Sequence, residues 1–199
     1  MQPFGEADLT ADPFELLTAW YELAREQAPL PEAICLATVD AEGMPDARMV
    51  LLKGFGPDGF RFFTNHGSAK GGQLAAQPVA ALVLYWRELD RQVRVRGTVE
   101  RLSDRDSDEY FATRMRESRI GAWASPQSRE LADRDELDRL VVAAEERFAS
   151  GEVPRPEIWG CSRVVPERME FWQGQVGLLH DRFVYRRSAD GWTVGRLAP

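Results

Sequence analysis

A chain of 199 residues, 44% of them apolar, is long enough to close one domain around a substantial core. Its net charge of −7 and pI near 5.0 argue against general binding to nucleic acid or to an anionic membrane. No apolar run reaches the roughly 20 residues that span a bilayer, and no charged-then-apolar leader opens the chain, so a soluble cytoplasmic protein is expected. Cys35 and Cys161 stand apart without CxxC spacing, and His66 and His180 are the only histidines, so no metal site is expected.

Asp12 before Pro13 reads as an N-cap and first helical residue. Leu16, Leu17, Trp20, Leu23 and Ala24 then recur at helical spacing, predicting an amphipathic helix over about 12–27. Ala33 to Thr38 is a short apolar strand, Asp40 to Gly43 a turn, and Arg48 to Lys53 a second strand. Pro57-Asp58-Gly59 turns the chain into a third strand, Phe60 to Thr64. Ser68 to Gln77 has helical spacing, Val79 to Trp86 reads as a buried strand, and Gln92 to Glu100 alternates. In that last strand Val93, Val95 and Val99 face one way and Gln92, Arg94 and Arg96 the other.

Asp106 to Thr113 reads as a helix start, Gly121 to Ser128 has loop chemistry, and Asp133 with Glu136 resembles a capping box. Leu137, Leu140, Val141, Ala144 and Phe148 supply the apolar stripe of the helix that follows. Arg163 to Trp172, Asp181 to Arg187 and Trp192 to Leu197 read as closing strands. Six or seven strands joined by hairpins, with helices inserted irregularly, favour a mainly β, α+β fold: an antiparallel barrel with peripheral helices. The glycine-rich fingerprints of the commonest nucleotide-binding loops are missing from the sequence.

Two groups of residues carry chemistry. Arg48 and Lys53 are cations in an apolar strand and need a counter-charge or water. Their even and odd positions point to opposite faces, so one anion meets both only across a bulge or a bend. Otherwise there are two anions, or both side chains simply snorkel to solvent. Tyr110, Arg114 and Ser118 lie four residues apart, each rotated about 40° from the last on a helix, and read either as a phosphate cradle or as a solvated face.

The order of the motifs RMVLLK (48–53), FFTNHGSAKG (62–71), RQVRVRG (91–97), IGAWASPQS (120–128), EFWQG (170–174) and LHDRF (179–183) resembles the pyridoxine/pyridoxamine 5′-phosphate oxidase family of FMN-binding split barrels. The resemblance runs from about Pro13 to Pro199 and implies one FMN-binding split-barrel domain over 1–199 and a homodimer with FMN in a groove between subunits. It implies that Arg48, Lys70, Gln127 and Ser128 hold the FMN phosphate and ribityl chain. The backbone of Met49, Val50, Leu51 and Leu52 would meet the flavin ring, with Phe63, Thr64, Gln92, Trp172 and Arg182 around it. Lys53, Tyr110, Arg114 and Ser118 would hold the phosphate of a B6 vitamer, with Leu178 and His180 near its pyridine ring. His180 and Arg182 are the implied catalytic residues, Arg182 as a cation beside the reduced flavin.

The chain also departs from that pattern. Leu178 stands where family members commonly carry an arginine, Ala69 where many carry a further phosphate-contacting arginine, and Phe63 where many carry tyrosine. The arginine and tyrosine segment that covers the substrate in some members has no counterpart before Pro13. The expected activity is oxidation of pyridoxine or pyridoxamine 5′-phosphate to pyridoxal 5′-phosphate, with dioxygen reduced to hydrogen peroxide. The alternatives are a split-barrel flavin enzyme acting on another reduced ring, such as a phenazine precursor, and a non-catalytic protein that binds FMN or pyridoxal phosphate.

Overall fold

The computed structural model of the protein describes residues 4–199. Helix α1, Pro13–Gln27, starts where the Asp12 carboxylate accepts the Phe14 N–H at 2.9 Å, with Pro13 at the position whose missing N–H costs nothing. Its apolar stripe, Phe14, Leu16, Leu17, Trp20 and Ala24, is buried. Phe14 meets Phe60 at 5.7 Å and Trp20 stands edge-on to Phe171 at 5.3 Å, so the helix packs on the sheet through aromatic contacts. Fully burying each large apolar side chain contributes about 1.5–3 kcal/mol.

The strands are β1 (Ala33–Val39), β2 (Pro45–Gly56), β3 (Gly59–Asn65), β4 (Val79–Trp86), β5 (Arg91–Arg101), β6 (Trp159–Gln173), β7 (Asp181–Ser188) and β8 (Gly191–Arg196). All pair antiparallel in the order β3-β2-β1-β4-β5-β6-β7-β8, and a further β3–β6 pairing closes the first six into a barrel. Each of the eight spans read as a strand forms one, so the count of six or seven strands expected for the barrel is low.

The closure depends on the length of β6. Residues 159–164 pair β3, residues 168–173 pair β7, and the opposite edge runs along β5. Pro166 falls in the gap between the β3 and β7 partners, so it takes no N–H from a ladder on that edge, and it faces Gly97 of β5 on the other. At the same level β5 shifts register between Arg96 and Gly97, and a Cβ on Gly97 would stand 1.8 Å from the Val165 carbonyl oxygen, so only glycine lets the two backbones pass.

The remaining helices are α2 (Ala69–Ala76), α3 (Asp104–Ala112), α4 (Arg116–Ala124) and α5 (Arg134–Arg147). The segment from Gly121 is not a loop throughout: α4 continues to Ala124, because Ile120 and Ala124 bury against Ala144 and Val153 in a small core of their own. The capping box before α5 forms in modified shape. Asp133 accepts the Glu136 N–H at 2.7 Å, but the Glu136 carboxylate reaches back to the N–H of Ala132 rather than Asp133. Among the described residues no helix is long and apolar enough to cross a membrane.

Candidate active site

Strands β2 and β3 and the helices α2 to α4 surround one open cavity of about 580 Å³. Eleven of the expected site residues line it: Met49, Val50, Leu51, Lys53, Phe63, Thr64, Lys70, Tyr110, Arg114, Ser118 and Gln127. Asn65, Met115 and Trp159 complete the wall. The sequence reading missed these three, and of them Trp159 matters most, since an aromatic at a strand start gives no signal of its own until β3 and β6 are paired.

Tyr110, Arg114 and Ser118 do not share one helix. α3 ends at Ala112 and α4 begins at Arg116, with Arg114 in the turn between them, its N–H bonded to the Phe111 carbonyl at 3.1 Å. The break still delivers all three to the cavity wall. Phe63 stacks on Tyr110 with centroids 4.0 Å apart and on Trp159 at 5.0 Å, making a flat aromatic wall. The Arg114 guanidinium lies 4.8 Å over Trp159, and its buried Nη1 has no hydrogen-bond partner. Burial holds its pKa below the ordinary arginine value, opposed by Tyr110. Lys53 approaches the Tyr110 ring at 6.0 Å. Neither cation has a carboxylate partner among the described residues. A half-buried guanidinium with one buried, unused donor, a lysine and two hydroxyls form the donor set that a phosphate dianion would complete.

The register of β2 shifts between Leu52 and Gly54, so a bulge lies at Lys53. It does not bring Arg48 and Lys53 to one place. Arg48 turns away from the cavity and donates to Thr38 Oγ1 at 2.6 Å, the Leu36 carbonyl at 3.1 Å and Gln73 Oε1 at 3.0 Å, and it pairs with Asp46. Lys70 stays on the cavity side, donating to Gln127 Oε1 at 2.7 Å and Ser68 Oγ at 3.2 Å. Burial pushes its pKa down, helped by nearby Arg48. Leu52 is buried in the core, and Ser128 is exposed in the left-handed region with φ 72°. Arg48, Leu52 and Ser128 therefore flank the cavity without lining it.

Gln92, Trp172, Leu178, His180 and Arg182 lie elsewhere, and none lines this cavity. Gln92, Trp172 and Arg182 stand in register across β5, β6 and β7. The His180 ring meets Trp172 at 4.7 Å. Leu178 is 75% exposed on a left-handed turn, φ 63°. Arg182, the cation expected beside the flavin, is held by a carboxylate: Glu170, only 3% exposed, accepts its Nε at 3.1 Å and Nη2 at 2.7 Å. The other Glu170 oxygen takes Arg94 at 3.4 Å and Arg168 at 3.3 Å. Glu170 is a further residue the sequence reading passed over; a carboxylate opposite Arg94 on a neighbouring strand becomes visible only with the register known.

His66, the other histidine, is packed beside Gly160, and burial with nearby Arg101 and Arg155 lowers its pKa to about 4. Among the described residues no three of His, Cys, Asp and Glu are placed to hold a metal.

Residues 22–148 match the family described as Pyridoxamine 5'-phosphate oxidase, and residues 159–199 match the Pyridoxine 5'-phosphate oxidase C-terminal dimerisation region. A Pyridoxine/pyridoxamine 5'-phosphate oxidase of Pseudomonas syringae pv. syringae is 53% identical over 197 residues, 98% of this chain and 92% of the relative. One from Microcystis aeruginosa is 51% identical over 196 residues, with the same coverage of 98% and 92%. Among solved structures, PhzG from Burkholderia lata in complex with tetrahydrophenazine-1-carboxylic acid superposes with a TM-score of 0.91 at 29% identity, covering 100% of this chain and 98% of that one. An FMN binding protein from Nostoc punctiforme shares the fold, with a TM-score of 0.75 at 18% identity over 96% of this chain and 100% of that one.

Proposed function

The chain belongs to the pyridoxamine 5′-phosphate oxidase family, and on that premise we propose that it oxidises pyridoxine 5′-phosphate or pyridoxamine 5′-phosphate to pyridoxal 5′-phosphate, with FMN as cofactor. Bound FMN supplies the two-electron acceptor that dioxygen reoxidises, with release of hydrogen peroxide. The observation that carries the substrate reading is the unpartnered Arg114 Nη1, buried against Trp159 in a cavity that also presents Lys53, Tyr110 and Ser118.

In this reading those four residues bind the substrate phosphate. Lys70, Gln127, Ser128 and Arg48 would hold the cofactor phosphate and ribityl chain, Arg48 and Ser128 from the edge of the cavity. The β2 backbone from Met49 to Leu52, with Phe63 and Thr64, borders the flavin ring. His180 orients the substrate, and Arg182 contributes its charge through the shared network on Glu170.

The two residue clusters lie apart in one subunit, and the C-terminal match is to a dimerisation region. The reading therefore joins the cavity of one subunit to Gln92, Trp172, His180 and Arg182 of a second copy, in a homodimer with FMN between the subunits. Each chain acts as one FMN-binding domain in the cytoplasm.

Peroxide release from each phosphorylated B6 vitamer, with FMN supplied, tests the proposal. Turnover of either vitamer is the expected result. Turnover of a reduced phenazine carboxylate alone would move the chain to the alternative chemistry, and binding of FMN and pyridoxal phosphate without turnover of any of these would make it a binding protein.

A further inference from the structure

We propose that Gln175 and Asp181 are positioning residues that hold the His180 imidazole as a hydrogen-bond donor through Nε2. The proposal rests on the reading of His180 as a substrate-contacting residue.

The His180 Nδ1 accepts the backbone N–H of Gln175 at 3.1 Å. A ring nitrogen that accepts carries no proton, so in the neutral ring the proton sits on Nε2 and that nitrogen donates. The turn that makes this contact has little packing of its own. Val176, Leu178 and Leu179 are 96%, 75% and 72% exposed, and Gly177 and Leu178 both occupy the left-handed region, with φ 73° and 63°. A non-glycine residue there is strained and persists only if its surroundings impose it.

The restraint comes from Asp181. One of its carboxylate oxygens accepts Gln175 Nε2 at 2.9 Å and the Phe4 N–H at 3.3 Å, and the other accepts Arg196 Nη1 at 2.8 Å. Arg196 in turn grips Glu6 through Nε at 2.8 Å and Nη2 at 3.0 Å. Phe4 fills a slot between Trp20 and Phe183, 5.0 Å from each ring. The chain's N-terminal segment thus clasps the β7–β8 hairpin and anchors the one carboxylate that ties Gln175 down. Gln175 spends its side chain on Asp181 and its backbone N–H on His180, so displacing either tie releases the imidazole to rotate or change tautomer.

The test combines imidazole 15N NMR and steady-state kinetics on the FMN-supplied protein. With only two histidines in the chain, His66→Gln assigns the His180 signals. The expected spectrum of the neutral ring shows Nδ1 bare and Nε2 protonated, and Gln175→Ala mixes the tautomers. Gln175→Ala lowers kcat about tenfold with KM and FMN affinity changed less than about twofold, as expected for lost orientation. In a His180→Gln background the same substitution has almost no further effect. Asp181→Asn, which keeps an acceptor for Gln175, loses less than Asp181→Ala. A protonated Nδ1 in the wild-type protein, or equal losses from Gln175→Ala with and without His180, overturns the proposal. If the tautomer responds to Gln175→Ala as stated but no vitamer is turned over, the positioning stands and the oxidase reading falls.

Discussion

Cations in the two halves of the site are treated in opposite ways. In the cavity between β2, β3 and the α3–α4 turn, Lys53, Lys70 and Arg114 have no carboxylate within ion-pair distance among the described residues, and one Arg114 nitrogen is buried without a partner. On the β5–β7 face, Glu170 gathers Arg94, Arg168 and Arg182 around one buried carboxylate. Leaving a buried donor unmet costs about 1–3 kcal/mol, so a fold retains such a group where a ligand completes it. A guanidinium already held by a buried carboxylate is oriented rather than available. The first region leaves its cations without a counter-charge, and the second fixes its arginines on one.

The largest expected effect probes the first half of that contrast. Arg114→Ala should weaken binding of the substrate phosphate by about 2–4 kcal/mol while FMN affinity stays nearly constant. Titration with each ligand separately checks this, and equal losses of both would erase the distinction between substrate and cofactor pockets.

On the other face, Glu170→Gln should lower stability by about 2 kcal/mol, because three arginines lose their common counter-charge, two of them partly in water. Denaturant melts read it. A variant as stable as the parent would mean that Arg182 is held by the Ala198 carbonyl alone.

A smaller effect concerns His66, behind the cavity loop. Its folded pKa, about 4, lies below the ordinary 6.5, so between these values the unfolded chain binds more protons. Stability should therefore be complete above pH 6.5 and decline by about 1 kcal/mol on acidification toward pH 4, the ring being only partly buried. His66→Gln should flatten that window in melts taken across it.

The smallest belongs to the strained turn. Leu178→Gly should leave stability unchanged or raise it by about 0.5–1 kcal/mol by relieving the left-handed backbone. Leu178→Arg should raise the rate with pyridoxine 5′-phosphate if the missing cation limits turnover, and an unchanged rate would place the limit elsewhere.

Much of the barrel was legible because its cues are local. Asp12-Pro13 starts α1, and the alternation from Gln92 to Glu100 matches the inward burial of Val93 and Val95. The cavity residues were legible through motif order, which is why eleven of them converge. Where reading failed, the decisive contact was remote. α4 runs through Gly121 to Ala124 because Ala144 and Val153 cover it. β6 begins at Trp159 because β3 pairs there.

The chain's own order of residues thus determined its helices, turns, strand alternation and the inventory of cations and hydroxyls, all of which depend on neighbours a few positions away. Only the tertiary structure decided which cations are neutralised. Arg182 meets Glu170 across twelve residues, whereas Lys70 meets only the neutral Gln127 amide across 57 and Arg114 meets no carboxylate among the described residues. Charge compensation acts through space over a few ångströms, and strand register, not sequence distance, sets which groups come that close.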